Sequence, residues 1–235
     1  MVYVILPALV PDIRRVYDSY FAAFKGERMG ELMLQVLFPG GTDSEEFRAA
    51  HAAGTLSYWH KSDTQYTFKC VDTATGEIVG MALGDILIRG RSEEERKFEG
   101  VPWLEGEQRE RAEKVLKPLH EMRDQLFGGT PHIYSHVMSV DPVHQGRGAG
   151  AVLAKFGLEL ADRTALPIYF EASPSVVNLY LKLGYEKLKE EIVHKGDVLG
   201  LEEDIVVPLM VRMPAAANGM GFYEWREKGY PRFGV

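Results

Sequence analysis

The stretch with the clearest chemical content is Val140-Asp-Pro-Val-His-Gln-Gly-Arg-Gly-Ala-Gly150. It lies between a predicted strand, 132–140, and a predicted helix with Val152, Leu153, Phe156 and Leu160 on its inner face. A strand, turn and helix in that order let consecutive backbone N–H groups converge on an anion at the helix's positive end. Glycines at 146, 148 and 150 let the backbone approach a phosphate and take conformations that a side chain blocks. Arg147 adds a planar guanidinium suited to phosphate oxygens. A phosphate-bearing cofactor is the ligand this chemistry suggests.

Two nucleotide-binding patterns compete and neither fits. The P-loop needs Lys and then Ser or Thr after its second glycine, and here Ala149 and Gly150 stand there. The dinucleotide pattern G-x-G-x-x-G is met at Gly146 and Gly148, with Ala151 as a tolerated last member. A dinucleotide fold, however, opens with this unit and continues in parallel repeats. In this chain some 140 residues precede the turn and one strand–helix unit follows it. A glycine-rich connection without a ligand is the remaining alternative.

Gln145-Gly-Arg-Gly-Ala-Gly150, preceded by Val140-Asp-Pro142, resembles the acyl-CoA pyrophosphate motif (Q/R-x-x-G-x-G/A) of the GNAT N-acetyltransferases. Downstream, Leu179-Tyr-Leu-Lys-Leu-Gly-Tyr-Glu186 is similar to that superfamily's second signature, a helix ending in Tyr-x-Lys-x-Gly-Phe/Tyr. The two stand in the family's order, about thirty residues apart, and the resemblance covers roughly 130–193. Upstream it is limited to the order of elements: strand, two helices, two strands, helix. Glu171-Ala-Ser-Pro174 resembles the branch common among fungi.

The resemblance implies a fold of the α/β class (α+β type). Its mixed, mostly antiparallel central sheet is flanked by helices, with strands splayed at the acyl-CoA site. Backbone groups of Met138 and Val140 would run beside the pantetheine arm. Amides around Gln145, Gly146, Arg147, Gly148, Ala149 and Gly150 would hold the pyrophosphate, and Tyr180 would lie near the thioester sulfur. One position departs from the family. Many members carry an asparagine seven residues before that tyrosine, where this chain has Ser173; Asn178 is out of register. The Ser173 hydroxyl would have to supply that cofactor contact.

Acyl transfer from a thioester to an amine needs a neutral amine, a donor for the oxyanion and a proton for the departing thiolate. A tyrosine, with a reference pKa near 10, can protonate a thiolate whose acid has one near 8.5. Tyr180 takes that role through its place in the signature; the alternative is an aromatic that packs its helix on the sheet. Glu171, at the end of a predicted strand, is the candidate base, acting directly or through water. Equally it could cap the turn that follows. His136 has a suitable pKa, but a single strand histidine is more often a hydrogen-bonded structural residue. Asp141 should shape the turn before Pro142. His51, His60, His132 and His144 show no metal-ligand spacing, so no metal is expected.

Other elements frame these residues. Val2–Leu6 reads as a strand, followed by a helix N-capped by Asp12 with Ile13, Val16, Tyr17, Tyr20, Phe21 and Phe24 inward. Leu32–Phe38 and Ser44–Ala53 read as helices, the latter opened by Asp43. Thr64–Asp72 and Ile78–Ile88 read as paired strands around Thr73-Ala-Thr-Gly76. Residues 89–127 are dense in mixed charge and read as an inserted loop and helix striped by Ala112, Val115, Leu119, Met122 and Leu126. Pro118 should kink or split that helix. Pro167–Glu171 is a short strand, Ser175–Leu183 a helix stopped by Gly184, and Tyr185–Val193 and Ile205–Met213 an antiparallel pair. An aromatic tail, 214–235, closes the chain, which reads as a single domain, 1–235. The acceptor pocket is expected from the first helices (Tyr17, Tyr20, Phe24, Met29), the Lys195–Leu201 loop or the tail.

Composition sets the outer limits. The chain has 235 residues, 46% hydrophobic and 26% charged, enough for a sizeable core. A net charge of −7 gives no bulk support to a nucleic-acid partner. The lone cysteine, Cys70, cannot form an internal disulfide and reads as a core residue. No stretch approaches the roughly 18 apolar residues of a membrane span, and the apolar start is too short for a signal peptide. The expected protein is a cytoplasmic (or nuclear) acetyltransferase, monomeric or homodimeric, moving acetyl from acetyl-CoA to a small-molecule primary amine. Acetylation of a protein lysine or N-terminus, or acyl-CoA sensing without turnover, are the alternatives.

Overall fold

The computed structural model describes residues 2–234. In chain order the elements are β1 (Tyr3–Pro7), α1 (Ile13–Lys25), α2 (Arg28–Leu37), α3 (Glu45–Lys61), β2 (Gln65–Asp72), β3 (Ile78–Leu87), α4 (Gly106–Phe127) and β4 (His132–Val140). They continue with α5 (Ala149–Thr164), β5 (Ile168–Glu171), α6 (Val177–Lys182), β6 (Glu186–His194), α7 (Gly196–Leu199), β7 (Ile205–Arg212) and α8 (Phe222–Glu227). The strands follow the order β1-β2-β3-β4-β5-β7-β6 in a seven-stranded, mostly antiparallel sheet. Two compact units share this chain, each interrupted in sequence by the other.

The first unit comprises Met1–Ile86 and Ser135–Gly157. Its sheet pairs β1 with β2 and β2 with β3, antiparallel. One side is packed by α1 and α2 through Val16, Tyr17, Tyr20, Phe21 and Leu34 against Ile78 and Met81, with the partly buried Phe47, Leu56 and Trp59 of α3 beside them. Tyr3, Cys70, Val79 and Ala82 meet Ala149 and Leu153 of α5 in a second cluster. Cys70 is fully buried, and burial, with Asp72 nearby, pushes its thiol up to about 11, which fits a packing role.

The second unit comprises Leu87–Tyr134 and Leu158–Val235. Here β4 pairs in parallel with β5 through Ile133↔Ile168 and Tyr134↔Tyr169, and β7 runs antiparallel to both β5 and β6. Phe127, at the end of α4, stacks on His132 and packs against Tyr169, Phe222 and Trp225. Part of the aromatic tail is therefore core: Phe222 and Trp225 of α8 are buried, Tyr223, Tyr230 and Phe233 are half-buried, and Trp225 donates its indole N–H to the Pro231 carbonyl.

Several boundaries differ from the sequence expectation for physical reasons. Asp12 does not cap α1 with its side chain; its carboxylate pairs with Lys69 and accepts the Leu9 N–H. Asp43 pairs with Lys25, and Ser44 caps α3 by accepting the Phe47 N–H. α2 starts earlier than expected because Glu27 accepts the Gly30 N–H, and α3 runs eight residues beyond Ala53 to Lys61. Pro118 does not split α4, which is continuous over 22 residues. The carbonyl that a proline leaves unpartnered, four residues back, belongs to Lys114, an exposed residue.

Candidate active site

The glycine-rich turn of the first unit is built from Asp141 outward. The Asp141 carboxylate is largely buried, accepts the Val143 N–H at 3.3 Å and meets Arg15 of α1 at 3.1 Å. It thus fixes the single helical turn Pro142–His144 that leads into the glycines. The side-chain amide of Gln145 donates to the Val140 carbonyl at 3.0 Å and ties the far side of the turn back to β4.

Gly146 and Gly148 have φ of +72° and +95°, and a Cβ at either would meet nothing within 4 Å. Among the described residues, the N–H groups of 146–151 have no protein acceptor: the first bond of α5 is Val152 N–H to the Gly148 carbonyl. The turn is exposed, as is Arg147, while Ala149 is buried and anchors the helix start. Unsatisfied amides at the positive end of a 16-residue helix form an anion cradle. The residues fit a pyrophosphate.

β4 carries its backbone groups in alternation. The Asp141 N–H donates to the Val79 carbonyl, and Ser139 O lies so near β3 that a Cβ on Gly80 would approach it to 2.5 Å. Ser139 and Asp141 thus face β3, and the alternation of a strand turns Met138 and Val140 to the opposite edge. On the same strand, His136 Nε2 hydrogen-bonds to Asp85 Oδ2 of β3 at 2.7 Å, and Asp85 Oδ1 accepts from the Thr64 hydroxyl at 2.8 Å. The His136 side chain is 36% exposed.

The second unit holds the other candidate residues. Tyr180 of α6 is partly buried between Phe170 and Tyr185, with ring centroids 4.5 and 5.3 Å away. Burial pushes its phenol up to about 12, further from a thiol than its reference value. The group is therefore neutral throughout the physiological range, a hydrogen-bond donor whose proton moves late. Glu171, at the end of β5, does not cap the following turn. Its two oxygens accept from the Tyr134 hydroxyl at 2.9 Å and the Tyr169 hydroxyl at 3.0 Å. Burial pushes its carboxyl above the ordinary range, against the opposing pull of Arg123 and the two phenols. A carboxylate raised in this way suits proton abstraction near neutral pH. The Ser173 hydroxyl bonds that of Ser175 at 2.9 Å.

The sequence pattern had not singled out Arg123, Tyr134 or Asp85. The Arg123 guanidinium lies 4.0 Å from the centre of the Tyr134 ring. In sequence Arg123 lies in the mixed-charge segment 89–127 and Tyr134 in the predicted strand 132–140. Nothing local distinguishes them, since Tyr134 meets Glu171 across 37 positions.

A model of the acetyltransferase (GNAT) domain matches residues 92–199. The probable acyltransferase SID5 of Ajellomyces capsulatus is 32% identical over 142 residues, covering 60% of this chain and 98% of that protein. Among solved structures, a mosquito arylalkylamine N-acetyltransferase like 5b is 16% identical, with a TM-score of 0.59 over 90% of this chain and 100% of its own. A GNAT superfamily phosphinothricin acetyltransferase from Sinorhizobium meliloti, solved with AcCoA, is 14% identical, with a TM-score of 0.50 over 94% of this chain and 93% of its own. Both structures share the fold, and the sequence relative lies in a fungus. Cradle, fold and sequence relatives agree: the chain belongs to the GNAT acetyltransferase family and is an acyltransferase.

Proposed function

We propose that the protein transfers an acetyl group from acetyl-CoA to the primary amine of a small molecule, by direct attack in a ternary complex, both units belonging to one acyltransferase domain. The observation that carries this reading is the row of open amides at 146–151 beside Arg147. Gln145 to Gly150 would hold the pyrophosphate, the outward edge of β4 at Met138 and Val140 the pantetheine, and Ser173 a further polar contact. Glu171 would take the proton of the ammonium, directly or through water. Tyr180 would give its proton to the thiolate as the tetrahedral adduct collapses. The solved arylalkylamine acetyltransferase is named for a small amine, which supports the acceptor class.

His136 supports a second assignment of the base, because Asp85 holds its imidazole as a carboxylate orients a catalytic histidine. Glu171→Gln and His136→Gln separate the two: the true base is the one whose loss removes the rise of kcat/KM with pH. The cofactor assignment is tested by calorimetry. Acetyl-CoA and CoA should bind at low-micromolar to sub-millimolar affinity, and equal NADH or ATP should not displace them. Tighter binding of NADH would overturn the reading.

A further inference from the structure

Asp141 sets an electrostatic problem for the ligand that its turn would hold. The residue is 8% exposed and stands five positions before Gly146. One carboxylate oxygen accepts the Val143 N–H, and the Asp141 carbonyl accepts the His144 N–H at 2.8 Å, so the turn is wound closely around it. A buried negative charge at the foot of an anion cradle repels a pyrophosphate, and with little water around it that repulsion is weakly screened. Glu77, another carboxylate at this turn, lies 4.0 Å from His144 Nε2, and its side chain is 58% exposed, where water and salt screen it. Asp141 has no such screening and needs a cation supplied by the fold.

Helix α1 supplies it. Arg15 Nη2 lies 3.1 Å from Asp141 Oδ2, and among the described residues Arg15 is the one cation within ion-pair distance of that carboxylate. The charges on either side of it are engaged elsewhere, Arg14 with Glu45 and Asp12 with Lys69. We propose that Arg15 is a positioning residue for the cofactor: it neutralises Asp141, so that this carboxylate can fold the turn without repelling the pyrophosphate. The carboxylate shapes the cradle through its hydrogen bonds, and the guanidinium cancels the charge that comes with them. Arg15 acts through Asp141 and not on the reacting atoms. This inference rests on the reading of 146–151 as the pyrophosphate site of CoA.

Calorimetry with CoA tests it on the wild type, Arg15→Met, Asp141→Asn and the double variant, at about 10 mM ionic strength, where the Debye length is about 30 Å. Arg15→Met should bind CoA about tenfold more weakly, the order Coulomb's law gives for a charge roughly ten ångströms from a pyrophosphate in a partly solvated site. Asp141→Asn removes the charge and keeps an oxygen for the Val143 N–H. Alone it should bind CoA at least as tightly as wild type, and added to Arg15→Met it should restore wild-type affinity. At about 1 M salt, where the Debye length is about 3 Å, the Arg15→Met deficit should largely vanish. Melting temperatures establish that each variant is folded, and Arg15→Gln carries the same comparison should Arg15→Met not fold. Unchanged affinity in Arg15→Met, a deficit undiminished by salt, or an Asp141→Asn or double variant as weak as Arg15→Met would overturn the neutralising role and leave the cradle standing. No CoA binding by the wild-type protein would overturn both.

Discussion

A β-carbon on Gly150 would sit 3.8 Å from Val140 Cγ2, an ordinary contact, whereas Gly146 and Gly148 have positive φ and would be strained by any side chain. Gly150 therefore separates cradle chemistry from folding. An aspartate there lies in the first turn of α5, where a negative charge stabilises a helix by roughly 0.3–1 kcal/mol, yet it opposes a pyrophosphate. Gly150→Asp should keep or raise the melting temperature while CoA affinity falls at least about tenfold, measured by calorimetry. Unchanged affinity would place the pyrophosphate elsewhere. Tyr180 permits a similar separation. Tyr180→Phe preserves its packing on Phe170 and Tyr185, so acetyl-CoA affinity should hold while the single-turnover rate falls about 10²-fold. A wild-type single-turnover rate would leave water as the proton source. The cradle was legible in the sequence because its glycines and the following helix are contiguous. Glu171 was legible as a carboxylate at a strand end, but its neighbours Tyr134 and Arg123 were not, because other elements, β4 and α4, supply them.

Strands and helices were legible where alternation or helical spacing continued over several residues, as in β3, β4 and the first turns of α1. Helix starts were less so. A carboxylate at a helix start can cap it or seek a cation, and in Asp12 and Asp43 the cations Lys69 and Lys25 win. The element on which the site depends most is β4, and its close approach to β3 at Gly80 was hidden in the sequence. With Ser139 O only 2.5 Å from a Cβ at that position, Gly80→Ala must push two backbones apart. Thermal denaturation should show a loss of about 1–3 kcal/mol, the range for overpacked sites, and CoA affinity should fall with it. A variant as stable as wild type would mean that the strands separate there at little cost.

Acid stability is a property of the whole molecule that one half-buried ring should control. His51 lies among the rings of Tyr17, Phe21, Phe38 and Phe47, and burial lowers its pKa to about 4. Its folded value is below the unfolded one near 6.5, so the unfolded chain binds the proton more readily. The stability that neutral His51 allows is thus complete above about pH 6.5 and is lost progressively as pH falls toward 4, by at most about 3 kcal/mol. His51→Gln should flatten the fall in melting temperature between pH 7 and pH 4.5. An unaltered slope would assign the acid sensitivity to other groups.

Catalysis is likewise a property of the whole chain, and the measurement that bears on it most directly is amine-dependent release of CoA from acetyl-CoA. Thiol appearance would be followed continuously over a panel of primary amines, with the products weighed by mass spectrometry. The expected result is saturable CoA release that needs an amine and yields one N-acetylated amine per CoA. CoA release no faster with any amine than with water, and no acetylated product, would contradict a small-molecule N-acetyltransferase.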